Sequence, residues 1–311
     1  MKISVIIPTY CRPQDLKCCL TALQNQTRLS DETIVVVRDT DLETWKFLEH
    51  SNLNSIFLKI VKVTVPGVVE AMNLGMEQSQ GDIIAFTDDD AAPHTNWLEK
   101  IEQHFYQNNL IAGVGGRDWQ YCDQQLLEAN KEIVGKLQWF GRVIGNHHIG
   151  LGKAREVDVL KGVNMSFRRT AIKKMRFDQR MRGTGAQVHF ELAFCLALRK
   201  AGWKLIYDPM VIVDHYPAQR FDEDQRQKFN KVAFFNAVHN ETLAVLEYMP
   251  PLRKVVFMLW GFTIGTRSSF GLIQWLRFLP QEGLLAGRKF MVSVKGRWQG
   301  WLTWQQFRQT N

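Results

Sequence analysis

What this chain lacks narrows it first. Its five cysteines (Cys11, Cys18, Cys19, Cys122 and Cys195) form no CxxC pair, and none stands at a spacing from histidine that suits zinc. The count is odd, and Cys18 and Cys19 are adjacent, which is poor for a structural disulfide, so a reduced, cytoplasmic compartment is expected. The opening MKISVIIPTY is too short for the apolar core of a signal peptide, and no cleavage site follows. VVFMLWGFTIGT (255–266) is uncharged over only 12 residues, short of the ~18–20 a membrane-crossing helix needs. PTYCRP stands where a Rossmann dinucleotide site requires a glycine-rich turn, and no GxxxxGK[ST] phosphate loop occurs. The glycine- and arginine-rich first loop of a sugar nucleotidyltransferase is missing too.

What is present is an ordinary globular composition, 45% hydrophobic and 23% charged over 311 residues, enough for one large domain or a domain with an appendage. The net charge of +8 would attract phosphate-bearing ligands, nucleic acid or anionic lipid, and equally describes a basic solvated surface. Strand-like runs at 2–7, 32–39, 55–63, 81–90 and 111–116 alternate with helical spacing at 15–26, 42–51, 68–79 and 96–108. Asp15 is placed to cap the first of these helices. That alternation implies βαβ units and a mostly parallel sheet, whose ligands bind at the carboxyl ends of the strands. Pro8-Thr9-Tyr10, Arg38-Asp39 and Asp88-Asp89-Asp90 all lie at such ends. Further on, 158–169 reads as a strand entering a turn, 191–203 as a helix and 204–217 as a strand pair. GNHHIGLGK (145–153) reads as a solvated loop.

AFTDDDAAP (85–93) raises the chemical question, because three consecutive carboxylates repel one another. In extended chain Asp88 and Asp90 point the same way and can hold a divalent metal whose other ligands are phosphate oxygens. A solvated acidic turn is the alternative at this point.

The neighbouring motifs bear on that choice. SVIIPTYCRP (4–13), TIVVVRDTD (33–41), NLGMEQSQGDIIAFTDDD (73–90), KGVNMSFRRTAI (161–172), HFELAFCLALRKAGWKLIYDP (189–209) and VIVDH (211–215) together resemble the family 2 inverting glycosyltransferases, with their nucleotide-diphospho-sugar-binding GT-A fold. The resemblance implies an α/β domain over 1–224 and a helical extension over 225–311. It implies that Pro8, Thr9, Tyr10 and Arg12 line a nucleoside pocket, that Asp39 bonds the base, and that Asp88 and Asp89 serve the nucleotide. Asp90 and His215 would hold Mn2+ or Mg2+, and Glu191 would be the catalytic base. Gly162 and Asn164 would face sugar or acceptor. The implied partners are a UDP- or dTDP-sugar donor and a glycan or lipid-linked acceptor, with no nucleic acid. The chain departs from the family's habit at three places: Phe190-Glu191 replaces Glu-Asp, Arg38 replaces the first of two aspartates, and Met72 precedes Asn73 in place of an arginine. These departures leave a catalytically silent GT-A-like binding protein as the alternative. DQRQKF (224–229) weakly resembles the Gln-x-x-Arg-Trp element of processive synthases, but single addition is expected here.

The tail is rich in tryptophan and in lysine and arginine. Basic residues beside Trp and Phe suit a helix lying in a membrane interface, here the cytoplasmic face, whereas a helical cap or a subunit interface would also explain them.

Overall fold

The computed structural model describes residues 1–311 apart from 52–55, 123–124, 127–128, 222, 224–227 and 309–311. The alternation holds through the first third: β1 (Ile3–Thr9), α1 (Pro13–Gln24), β2 (Glu32–Arg38), α2 (Leu42–His50), β3 (Leu58–Val63), α3 (Val68–Gln78), β4 (Ile83–Thr87), the short β5 (Ala91–Pro93), α4 (Trp97–Gln107) and the long β6 (Ile111–Cys122). Short strands β7 (Gln125–Leu126), β8 (Lys136–Leu137), β9 (Val143–Ile144) and β10 (Arg155–Val157) follow. The main body resumes with β11 (Asn164–Arg168), α5 (Arg169–Ile172), α6 (Phe190–Lys200) and β12 (Lys204–His215). The chain ends in α7 (Lys231–Tyr248), α8 (Pro251–Thr263), the hairpin β13 (Gly265–Thr266) and β14 (Ser269–Phe270), α9 (Leu272–Glu282) and α10 (Leu284–Arg308).

The main sheet runs β10-β12-β6-β11-β4-β1-β2-β3. β1 pairs in parallel with β2 and β4, β2 with β3, and β6 with β12. β11 is antiparallel between β4 and β6. The strands β1, β2 and β4 are β-branched or apolar and buried on both faces, as central parallel strands must be when helices cover both sides. One core layer lies under α1 and α4 and includes Leu16, Leu20, Trp97 and Ile101. The other lies under α3 and α6, and it also contains Leu243, Val245 and Leu246 of α7 and Phe257 of α8, so the tail helices share the sheet's own core.

Three local expectations are corrected. α1 begins at Pro13, preceded by Arg12 with no side-chain cap, because proline at the first helical position presets the backbone and Asp15 already lies inside the first turn. Residues 204–215 form one strand, not a pair: register shifts on β6 after Lys204 and again between Asp208 and Ile212 absorb the Asp208-Pro209 break. His147 in the 145–153 stretch is buried, with Nε2 on the Val159 carbonyl at 2.9 Å.

Candidate active site

The carboxyl ends of β1, β2 and β4 open into a cavity of about 400 Å³. Pro8, Thr9, Tyr10, Arg12 and Asp88 line it, as do Asp90, Gly162, Glu191 and His215. Thus nearly all the residues singled out in the sequence converge on one place. The three that do not line it are Asp39, Asp89 and Asn164. Asp39 is exposed, and its backbone N–H bonds the Val63 carbonyl at 2.9 Å. Its neighbour Arg38 lines the cavity instead, with its guanidinium 5.0 Å from the Tyr10 ring centroid. Asn164 is 1% exposed; its oxygen accepts from Trp97 Nε1 at 2.9 Å and its nitrogen donates to the Val211 carbonyl at 2.9 Å.

The aspartate triplet divides by side. Asp89 is fully buried, accepting from Thr9 Oγ1 at 2.7 Å and pairing with Arg12 Nη2 at 2.7 Å. It thereby anchors the loop after β1. Arg12 Nη1 reaches Asp90 at 3.0 Å, so one guanidinium spans two carboxylates. Asp88 and Asp90 face the cavity. His215 is brought to them by sheet pairing: the end of β12, still paired in parallel with β6, also pairs antiparallel with β5, setting His215 against Ala91. The chain beyond then closes over Asp90, with Tyr216 N–H on its carbonyl and Ala218 N–H on Oδ2, each at 2.9 Å.

One carboxylate of the site went unnoticed in the sequence. Asp118 of β6, fully buried, lies 3.6 Å from His215 Nδ1, accepts from Gln120 Nε2 at 2.9 Å and pairs with Lys161. It carries no motif; the only signal was the charged pair Arg117-Asp118 directly after an apolar, glycine-rich run. His215 is therefore bracketed, Nδ1 toward Asp118 and Nε2 3.5 Å from Asp90 Oδ1.

Burial would hold the imidazole neutral, but Asp118 and Asp90 outweigh it and push His215 up to about 9. Burial would raise Asp90; His215, Arg12 and the Ala218 N–H reverse this and hold it down at about 2. Asp118 lies well below the usual carboxylate range, because Lys161 and His215 overcome its burial. Burial pushes Asp88 and Asp89 upward, and their neighbours' negative charge adds to it.

Donor atoms of Asp88, Asp90 and His215 all lie within 4.8 Å of one another, the one group of this kind among the described residues. Asp90 Oδ1 and His215 Nδ1 are buried without a hydrogen-bond partner. Two carboxylates and an imidazole suit Mn2+ or Mg2+ by donor type. The residues present therefore fit a divalent cation.

Across the cavity, Glu191 stands in the first turn of α6, after the loop 182–189. That loop is fastened at both ends. Gln187 accepts from Val69 N–H at 3.0 Å and donates to the Met181 carbonyl at 2.8 Å, and Val68 N–H bonds the Gly185 carbonyl at 2.9 Å. From α7, Asn240 accepts from Arg182 N–H at 2.8 Å and donates to the carbonyls of Arg182 and Val188 at 2.9 and 3.1 Å. Most of the DQRQKF stretch (224–227) lies outside the described residues.

The family model for glycosyl transferase family 2 matches residues 4–176. Glycosyltransferase AglE of Haloferax volcanii is 35% identical over 101 residues, 32% of this chain and only 33% of that protein's length. Glucosyl-dolichyl phosphate glucuronosyltransferase of the same organism is 23% identical over 226 residues, 69% of each chain. Among solved structures, GalNAc-T7 with UDP, GalNAc and Mn2+ superposes with a TM-score of 0.65 at 12% identity, covering 84% of this chain and 50% of that one, a likeness of fold.

Proposed function

Because this chain belongs to glycosyl transferase family 2, we propose that it is a metal-dependent, inverting glycosyltransferase that moves a sugar from a nucleotide-diphospho-sugar to a hydroxyl of a glycan or lipid-linked acceptor. The observation that carries the reading is that Glu191 and the Asp88/Asp90/His215 group line one cavity. An inverting transfer needs a base to take the acceptor hydroxyl's proton as its oxygen attacks the anomeric carbon from the side opposite the leaving diphosphate. Glu191 fills that role, and the fastened 182–189 loop holds the helix start that carries it. Asp88, Asp90 and His215 would hold Mn2+ or Mg2+, which when bound neutralises charge on the departing diphosphate. Asp118 orients the His215 ring, and Arg12 fixes Asp90. Pro8, Tyr10 and Arg38 form the wall for the nucleoside, with Arg38 over Tyr10 taking the place expected of Asp39. A UDP-sugar donor is supported by the UDP held in the GalNAc-T7 structure, and a lipid-linked acceptor by the name of the dolichyl-phosphate relative.

The test is a panel of nucleotide-sugars assayed by thermal shift with Mn2+, since a donor that binds the native state raises its melting temperature by mass action. Hits are then followed for turnover. One donor stabilising the protein and being consumed, with loss on chelation, supports the reading. A donor that binds without turnover under any acceptor would mark a silent binding protein.

A further inference from the structure

All of the chain's excess charge lies in its last fifth. Residues 251–311 hold nine lysines and arginines against a single acid, Glu282, whereas residues 1–250 hold thirty of each sign. Two helices of this segment, α9 and α10, leave several apolar side chains outside. None of the residues of α9 is buried, and Leu272, Ile273, Leu276 and Leu279 are 43, 50, 55 and 42% exposed. Positions 272, 276 and 279 repeat at helical spacing and share one face. On α10, Leu284, Arg288, Met291, Lys295 and Trp298 recur every three or four residues, all exposed, so one stripe alternates apolar with basic. α9 is held to α10 mainly through the Trp275 ring stacked on Phe290 and the Lys289–Glu282 pair at 2.7 Å.

An exposed apolar face of this kind marks an interaction site, and its charge selects the occupant. A second copy would set the exposed Arg277, Arg288 and Lys295 against their own like charges. A polyanion such as nucleic acid would leave the leucines in water. At the boundary of an anionic bilayer both components are satisfied: the leucines and Trp298 reach the acyl region, while arginine and lysine bury their stems and keep their heads at the phosphates. Among the described residues no helix is long and apolar enough to cross a membrane. We propose that the outer faces of α9 and α10 dock on the surface of an anionic phospholipid bilayer. This deepens the reading above, on which it rests only for the lipid-linked acceptor that such docking would bring within reach.

The experiment is cosedimentation of the full chain with vesicles of phosphatidylcholine alone or with one-third phosphatidylglycerol. Binding to the anionic vesicles is expected, weakening as salt is raised. The triple variant Leu272→Ser/Ile273→Ser/Leu276→Ser and the triple variant Arg277→Glu/Arg288→Glu/Lys295→Glu should each bind at least about tenfold more weakly. Hydrolysis of the donor in vesicle-free solution should be unchanged in both, which separates lost docking from lost folding. Protein that stays in solution with either vesicle overturns the proposal, as does equal binding to neutral and anionic vesicles. So does a dimer in sedimentation velocity that the leucine variant dissociates, which would assign the face to a second copy. Vesicle binding without turnover of any donor would sink the reaction and leave the docking surface standing.

Discussion

At the scale of single residues, the site is a set of charges that offset one another. Replacing Glu191 with Gln keeps its size and removes the base. Transfer should fall by roughly 10²–10⁴-fold while donor still raises the melting temperature; unchanged turnover would dismiss Glu191 from the chemistry. Asp118 acts one step back. Asp118→Asn leaves Lys161 and His215 without the carboxylate they share, and Mn2+ affinity by calorimetric titration should weaken by about 10–100-fold. The aspartate triplet and the lone histidine after a strand were legible because strand alternation and motif order bear on them directly. Asp118 was not, since its role comes from the parallel pairing of β6 with β12, a contact between residues nearly a hundred positions apart. Arg38 and Asp39 show the same limit: both end one strand, and only the fold decides which of the two enters the cavity.

At the scale of elements, the cavity wall depends on a joint between α3 and the loop before α6. Gly67 sits at φ +113°, a left-handed conformation that side chains resist, and a Cβ there would meet Gln187 Oε1 at 2.2 Å. Gly67→Ala should therefore lower stability by roughly 1–3 kcal/mol, read by urea denaturation, and raise the donor's KM by displacing residues 184–188. A KM that does not move would mean the joint shapes the fold and not the pocket. Gln187 and His189 are themselves at φ 40° and 76°, so the segment is held in an uncommon shape by its bonds to Val69, Met181 and Asn240. The partners that fasten this glycine-containing segment come from α3 and α7, far away in the chain.

At the scale of the whole molecule, two buried histidines make a contribution to stability that is lost in mild acid. His147 and His239 are buried and held neutral, each at about 4, chiefly by burial. In the unfolded chain they protonate near pH 6.5. Between those values the unfolded state binds more protons, so stability falls as pH drops through 6.5 and the loss is complete below about 4. Each histidine should contribute a loss of roughly 2 kcal/mol between pH 7 and pH 5. His239 lies between Asn240 and Thr303, bonded to both. In His239→Gln the decline in urea midpoint from pH 7 to pH 5 should be shallower than in the parent chain; an equal decline would place the acid sensitivity elsewhere.

The alternation of apolar strands and amphipathic helices determined the α/β architecture by itself, since period and burial are properties of neighbouring residues. The strand ends likewise determined where the cavity would open. Only the tertiary structure decided that Asp118 stands behind His215, that Arg38 and not Asp39 faces the pocket, and that the tail helices are continuous with the sheet's core. Those outcomes depend on strand order, register and the packing of distant segments, and a linear pattern carries no term for the distance between them.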